Sequence, residues 1–348
     1  LLQVMEEIEP FVSKALYDVE RLASIAVGGY ARLLEVLHRH FSAAPPELPM
    51  NLVAGLETPD SLMVADLRQG LGQAVWLARY GHRADQELEL AAPRLREAPP
   101  PFVFPTDIAG VWDPPTASQR RQQAMQEAYA GVGLWQRSGL RTLVELVQKA
   151  LVAHAEARDA LARVLAASRR WSLAAANEGM ADRRLEEESE IFLLELEEVK
   201  QIMTGEWHSR TQVQPILEKR LQSAPSPLSS IPLPTGGSLM PPPDVGGRLL
   251  GIVGDVQHGR AFSLDAVSVI PDVPAHAIAL ALETTPAWAP LFLKIDGIAT
   301  ARGDWLCHTA TVGRAGALPT IVAAFDLFAY AEQQIGLQPA QNQIKLAN

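Results

Sequence analysis

The sequence predicts a multidomain α plus α/β protein: a mainly helical domain over 1–222, a Pro/Ser/Gly-rich linker over 223–247 and a C-terminal α/β domain over 248–348. Three observations predict it. Apolar residues recur at helical intervals in the first part, as in Leu140, Leu143, Val144, Val147, Leu151, Ala155 and Leu161. The composition then shifts to Ser223-Ala-Pro-Ser-Pro and Pro241-Pro-Pro-Asp-Val-Gly-Gly, which disfavours helix and strand pairing and makes a semi-extended spacer. Beyond that stretch the pattern becomes alternating and β-branched.

Taken in order, the helical groups break at Ala44-Pro45-Pro46, at Ala98-Pro99-Pro100-Pro101, and along the irregular run from Phe104-Pro105 to Pro114-Pro115. Ile191, Leu194, Val199 and Ile202 mark a later helical face, and Glu186-Glu187-Glu188-Ser-Glu190 reads as a solvated one. After the linker, strands are expected at Leu249 to Val253, Ala266 to Ile270, Ala277 to Leu282 and Ile295 to Ala299. Helices are expected at Cys307–Ala315 and Ile321–Glu332.

Composition bounds the function. A chain of 348 residues, 48% hydrophobic and 20% charged, suits two or three globular domains. A net charge of −10 with no basic stripe argues against a nucleic-acid partner. The single cysteine, Cys307, excludes an intrachain disulfide and a cysteine zinc site. His38 and His40 lie on different helix faces, so no metal site is expected. With no signal peptide and no apolar run of spanning length, a cytoplasmic protein without a membrane partner is expected. The opening Leu1-Leu2, in place of methionine, is what a fragment of a longer protein would show.

The chemistry concentrates near the C-terminus, in Gly303-Asp-Trp-Leu-Cys-His308-Thr-Ala-Thr-Val-Gly-Arg314-Ala-Gly-Ala-Leu-Pro319. A histidine there follows a glycine turn and opens a short helix that Gly316 and Pro319 are expected to stop. A helix start offers unpaired N–H groups and the positive end of the peptide dipole, which suit a phosphoryl group that a histidine can hold covalently.

The same residues resemble the phosphohistidine swivel domain of the phosphoenolpyruvate-utilising enzymes, a group that includes phosphoenolpyruvate synthase and rifampin phosphotransferase. The resemblance runs through Thr284-Thr285-Pro286-Ala-Trp288-Ala-Pro290, Ile298-Ala-Thr300-Ala-Arg-Gly303, Cys307-His308, Arg314 and Leu318-Pro319. It extends upstream to Leu250-Gly-Ile-Val-Gly254 with Gly259-Arg260-Ala261. Two more stretches are similar to segments of those proteins: Tyr80-Gly81-His82-Arg83-Ala-Asp-Gln-Glu87-Leu-Glu89-Leu90 with Pro93-Arg94-Leu-Arg96-Glu97, and Leu185 to Val199. Their N-terminal nucleotide-binding domain has no counterpart in the sequence, and no Walker-type glycine loop is present; Gly246-Gly247 lies in the linker.

The resemblance implies a three-layered β/β/α swivel domain on a tether, with His308 as the catalytic phosphoryl carrier. Gly303, Thr309 and Arg314 would support the phosphate, and His82, Arg83 and Glu87 would lie on the acceptor side. The phosphoryl would come from ATP with Mg2+, or from phosphoenolpyruvate, through a nucleotide-binding (ATP-grasp-like) partner domain or subunit. It would pass to a small-molecule acceptor; no tightly bound cofactor and no activity of the chain alone are expected. Departures from the pattern are Asp304 at a glycine position, Leu306 in place of a hydroxyl residue, Ala315 in place of a glutamate, and a tail from Tyr330 to Gly336 that follows the closing strands poorly. They leave two alternatives: a degenerate, non-catalytic relative kept for ligand binding or scaffolding, and an unrelated helical binding protein.

Overall fold

The computed structural model describes residues 2–41, 45–99, 110–207, 209–223, 249–264, 273–323 and 327–346. The linker assigned to 223–247, apart from Ser223, lies outside the described residues, as do the strand expected over 266–270 and the break beginning at Phe104.

Two long helices, α1 (Leu2–His40) and α6 (Leu134–Ala181), pack along each other and frame the first half. Between them run α2 (Leu48–Asn51), α3 (Pro59–Arg68), α4 (Gln73–Tyr80) and α5 (Pro114–Ala130). Local chemistry sets the starts that matter. Thr58 accepts from the Ser61 N–H, and the Ser61 hydroxyl accepts in turn from the Thr58 N–H, a capping box that opens α3 with Pro59 in its first turn. Asp113 accepts from the Thr116 N–H and opens α5 at Pro114-Pro115. From Gly81 to Pro99 the chain is irregular, held by Arg94 and Arg169 donating to the carbonyls of Glu87, Glu89, Leu90 and Ala91. The helices α7 (Leu196–Thr204) and α8 (Arg210–Ser223) close this half. The acidic run is not wholly a solvated face: it begins a 3-10 turn at Glu188, and the Glu190 carboxylate takes a two-pronged bond from Arg210.

The C-terminal half is a curled mixed sheet. Its strands are β1 (Leu250–Val253), β2 (Gln257–Leu264), β3 (Ile278–Ala281), β4 (Gly297–Thr300), β5 (Thr320–Val322), β6 (Gln334–Gln338) and β7 (Gln343–Leu346), in the order β1-β5-β4-β3-β2-β6-β7. Strands β2, β3, β4 and β5 run parallel, and β1, β6 and β7 add antiparallel. A helix, α9 (His308–Gly316), makes the crossover from β4 to β5. The helical and α/β halves of the expected fold are both present.

Two expectations are corrected. Ile321 begins no helix: Ile321 pairs with Gly251 and Ala299, and Val322 with Leu250, so a strand is fixed by partners on both sides. The tail does close the sheet, because Ile335 and Leu337 are buried on β6 and pair with β2 and β7. The helix α9 ends in a left-handed residue, but at Ala317 (φ 50°), with the Leu318 N–H returning to the Gly313 carbonyl.

The halves share their cores. Met63, Val64, Trp76 and Trp112 pack with Trp288, Leu291, Phe292 and Val312, while Ala23, Val53 and Val147 pack with Ile252, Trp305 and Ala310. Backbone bonds cross as well: Gly55 N–H donates to the Arg314 carbonyl at 2.8 Å and Asp113 N–H to the Gly316 carbonyl at 2.9 Å.

Candidate functional site

His308 is the first residue of α9, and Cys307 before it supplies no side-chain cap. The turn leading in needs Gly303 at φ 126°, and Asp304 accepts from the Leu306 N–H at 2.8 Å. Asp304 is thus spent on the turn.

The imidazole of His308 is hydrogen-bonded on one side and unbonded on the other. Nδ1 lies 3.0 Å from the Thr284 hydroxyl, which lies 2.8 Å from the Thr309 hydroxyl. Because a hydroxyl can accept and donate, this chain permits the tautomer with hydrogen on Nδ1 and a lone pair on Nε2. Phe292 meets the ring edge-on, with centroids 5.8 Å apart. Nε2 is buried without a hydrogen-bond partner, in a side chain only 5% exposed, and it faces Asp60 Oδ1 of the other half at 3.9 Å.

Behind Asp60 stands a buried ion network. Arg83 Nη2 donates to Asp60 at 2.6 Å, its Nη1 lies 3.3 Å from Asp159, and its Nε donates to Glu87. Arg158 reaches Glu87 at 3.1 Å, Arg163 reaches Asp159 at 2.9 Å, and His82 Nε2 lies 2.8 Å from Asp159. Beside these, Thr285 donates to Asp85 at 2.5 Å across 200 positions of sequence.

Of the residues picked from sequence, His308 and Thr309 lie together, and Arg83 and Glu87 face them through Asp60. His82 joins the same network one step further off. Arg314 is placed elsewhere: Nη1 donates to the Trp305 carbonyl at 2.6 Å and the guanidinium lies over the Trp305 ring, which stacks on Tyr30. Sequence reading missed Asp60, His154 and Asp159. The Thr58-Pro59-Asp60-Ser61 capping box was the available signal for Asp60, since it sets an acid in the first turn of α3.

The electrostatics favour a neutral His308. Burial pushes its pKa down to about 4; Asp60 opposes this and Arg83 adds to it. His154 is likewise pushed to about 4, by burial and then by Arg158. Asp60 is held ionised, at about 2: burial pushes its pKa up, and the charges of Arg83, His308 and Arg158 with the Arg83 hydrogen bond together outweigh it. Both histidines have folded values below the ordinary value of about 6.5. Their contribution is therefore complete above that value and is lost as pH falls toward 4. Chemical denaturation at several pH values is expected to show stability falling across this window with a slope approaching two protons. His308→Gln should remove one of them, and an unchanged slope in that variant would refute the assignment.

One comparison bears on this site. Residues 273–337 match the family described as PEP-utilising enzyme, mobile domain. The chain carries a PEP-utilising mobile domain at its C-terminal end. The match spans β3, β4, α9, β5 and most of β6, and so includes Thr284, His308 and Thr309. It associates the mobile domain with phosphoryl transfer as performed by that enzyme family. No match to a curated protein was found. Among the described residues, no helix is long and apolar enough to cross a membrane, and no group of three or more His, Cys, Asp or Glu side chains could hold a metal ion.

Proposed function

We propose that the chain is the phosphoryl-carrier part of a phosphoenolpyruvate synthase- or rifampin phosphotransferase-like system. The observation that carries this reading is the buried, unbonded Nε2 of His308 on a ring whose Nδ1 is fixed by Thr284. In the first step the Nε2 lone pair attacks an electrophilic phosphorus. The N–P bond forms as the P–O bond to the donor's leaving group breaks, and Nδ1–H stays on the Thr284 hydroxyl. In the second step an acceptor oxygen attacks phosphorus, the N–P electrons return to Nε2, and the acceptor's proton leaves to base or solvent. The donor is ATP with Mg2+, or phosphoenolpyruvate, presented by an ATP-grasp-like domain or subunit; the acceptor is a small molecule that meets the loaded domain away from the junction. Such donors place the reaction in the cytoplasm.

The continuous apolar core between the halves favours a second reading, in which the mobile domain is retained for binding or architecture. Mass spectrometry under neutral-to-alkaline conditions separates the two. With ATP, Mg2+ and the nucleotide-binding partner, or with phosphoenolpyruvate, one acid-labile phosphoryl group is expected on His308 and none in His308→Ala. Absence of the group beside a demonstrably active partner would sink the carrier reading and leave the second.

A further inference from the structure

We propose that Asp60 makes the helical half a receptor for the phosphoryl-free form of His308 and turns the loaded form away. The inference rests on the carrier reading above and adds the rule by which the mobile domain docks.

Space is the first reason. Only 3.9 Å separates Nε2 from Asp60 Oδ1, and both side chains are buried. A bare imidazole fits that gap. A tetrahedral dianion with three terminal oxygens, bonded to Nε2, meets a carboxylate oxygen head-on. Asp60 is not free to step aside, because its Oδ1 is gripped by Arg83 Nη2, and Arg83 is itself tied to Glu87 and Asp159.

Charge is the second reason. Asp60, Glu87 and Asp159 are matched in this network by Arg83, Arg158 and Arg163, and each of these guanidiniums is already paired. No cation of the network is left over for a dianion, and burial strengthens the repulsion between like charges. The guanidinium of Arg314, the basic residue of α9, is turned to Trp305. The apolar surface shared by the halves supplies affinity for either form, and the Asp60 carboxylate supplies the discrimination. Loading therefore shifts the mobile domain away from the helical half, and discharge lets it return.

A charge cycle tests this in the whole chain. The reporters are the Gly55 and Asp113 amides, whose hydrogens bond across the junction to the Arg314 and Gly316 carbonyls, read by hydrogen exchange. Amides of α6 around Val144 and Val147 report whether the helical half stays folded. His308→Gln should exchange as the parent does, whereas His308→Glu should exchange faster at the junction by about tenfold or more. Adding Asp60→Asn to His308→Glu should restore protection. Equal exchange in the Glu and Gln variants, or no rescue by Asp60→Asn, would overturn the proposal.

A second arm loads the parent chain with potassium phosphoramidate, whose phosphoryl moves from its own nitrogen to Nε2 and releases ammonia. Loaded protein should open as His308→Glu does, and a loaded yet protected junction would overturn the proposal. If no phosphoryl reaches His308 from phosphoramidate or from the active partner system described above, the carrier reading fails. The Glu and Asn variants still decide whether Asp60 rejects negative charge.

Discussion

Replacing Arg83 by methionine is expected to cost about 3–5 kcal/mol, because it strips the cation from a buried cluster of acids. Arg83 is 1% exposed and bonds three carboxylates that sit on three different parts of the chain: Asp60 on α3, Glu87 in the irregular loop, and Asp159 on α6. Methionine fills similar volume, so the loss is electrostatic more than steric. Glu87 and Asp159 keep Arg158 and Arg163, but Asp60 has no other guanidinium bonded to it among the described residues. Lysine is expected to recover only part of the loss, since one ammonium cannot reproduce the fork.

The pH dependence gives this prediction a sign. In the parent, Asp60 at about 2 lies below its unfolded value of about 3.9, so it stabilises above that value and the benefit disappears as pH falls through about 2. Without Arg83 the carboxyl binds its proton at higher pH. The gap between parent and variant should therefore narrow as acid is added. Urea midpoints at pH 7 and pH 4 check it, and a loss below about 1 kcal/mol at pH 7 would mean that the network is an ordinary surface cluster.

Much of the mobile domain was legible because its signals are local. Gly303 marks a turn that needs a left-handed residue, Cys307-His308 opens a helix, and Leu250 to Val253 is a short apolar run ending in two β-branched residues, as a buried strand has. The environment of His308 was not legible, because Asp60 and Asp159 arrive through the tertiary fold. The position of Arg314 could have been read. It lies six residues after His308, and at about 100° per residue the two point to well-separated faces of α9. The family resemblance, and not the helix geometry, put Arg314 beside the phosphate. Ile321 was misread for the opposite reason: its apolar run suits helix or strand, and only the non-local partners Gly251 and Ala299 decide.

Trp112→Ala is expected to cost about 3–5 kcal/mol, through the cavity it leaves and the loss of contact between the halves. Trp112 is 1% exposed; its indole N–H donates to the Val312 carbonyl of α9 at 2.9 Å, and Gly316 leaves the room it needs. A Cβ at Gly316 would lie 2.3 Å from the indole ring. The same tryptophan is anchored in the first half, where Arg68 donates to its carbonyl and pairs with Asp113 at 2.7 Å. It therefore fastens the C-terminal end of the helix whose first residue is His308. A chain that must expose His308 to be loaded gains opening when this fastening is cut. The carrier reading then predicts opposite signs in one variant: a lower melting temperature and faster phosphoryl loading of His308, both measured below the melting range. An architectural role predicts the lower melting temperature with no loading in either protein. Faster opening of the Gly55 amide in Trp112→Ala without faster loading would place the limiting step at the donor and not at the junction.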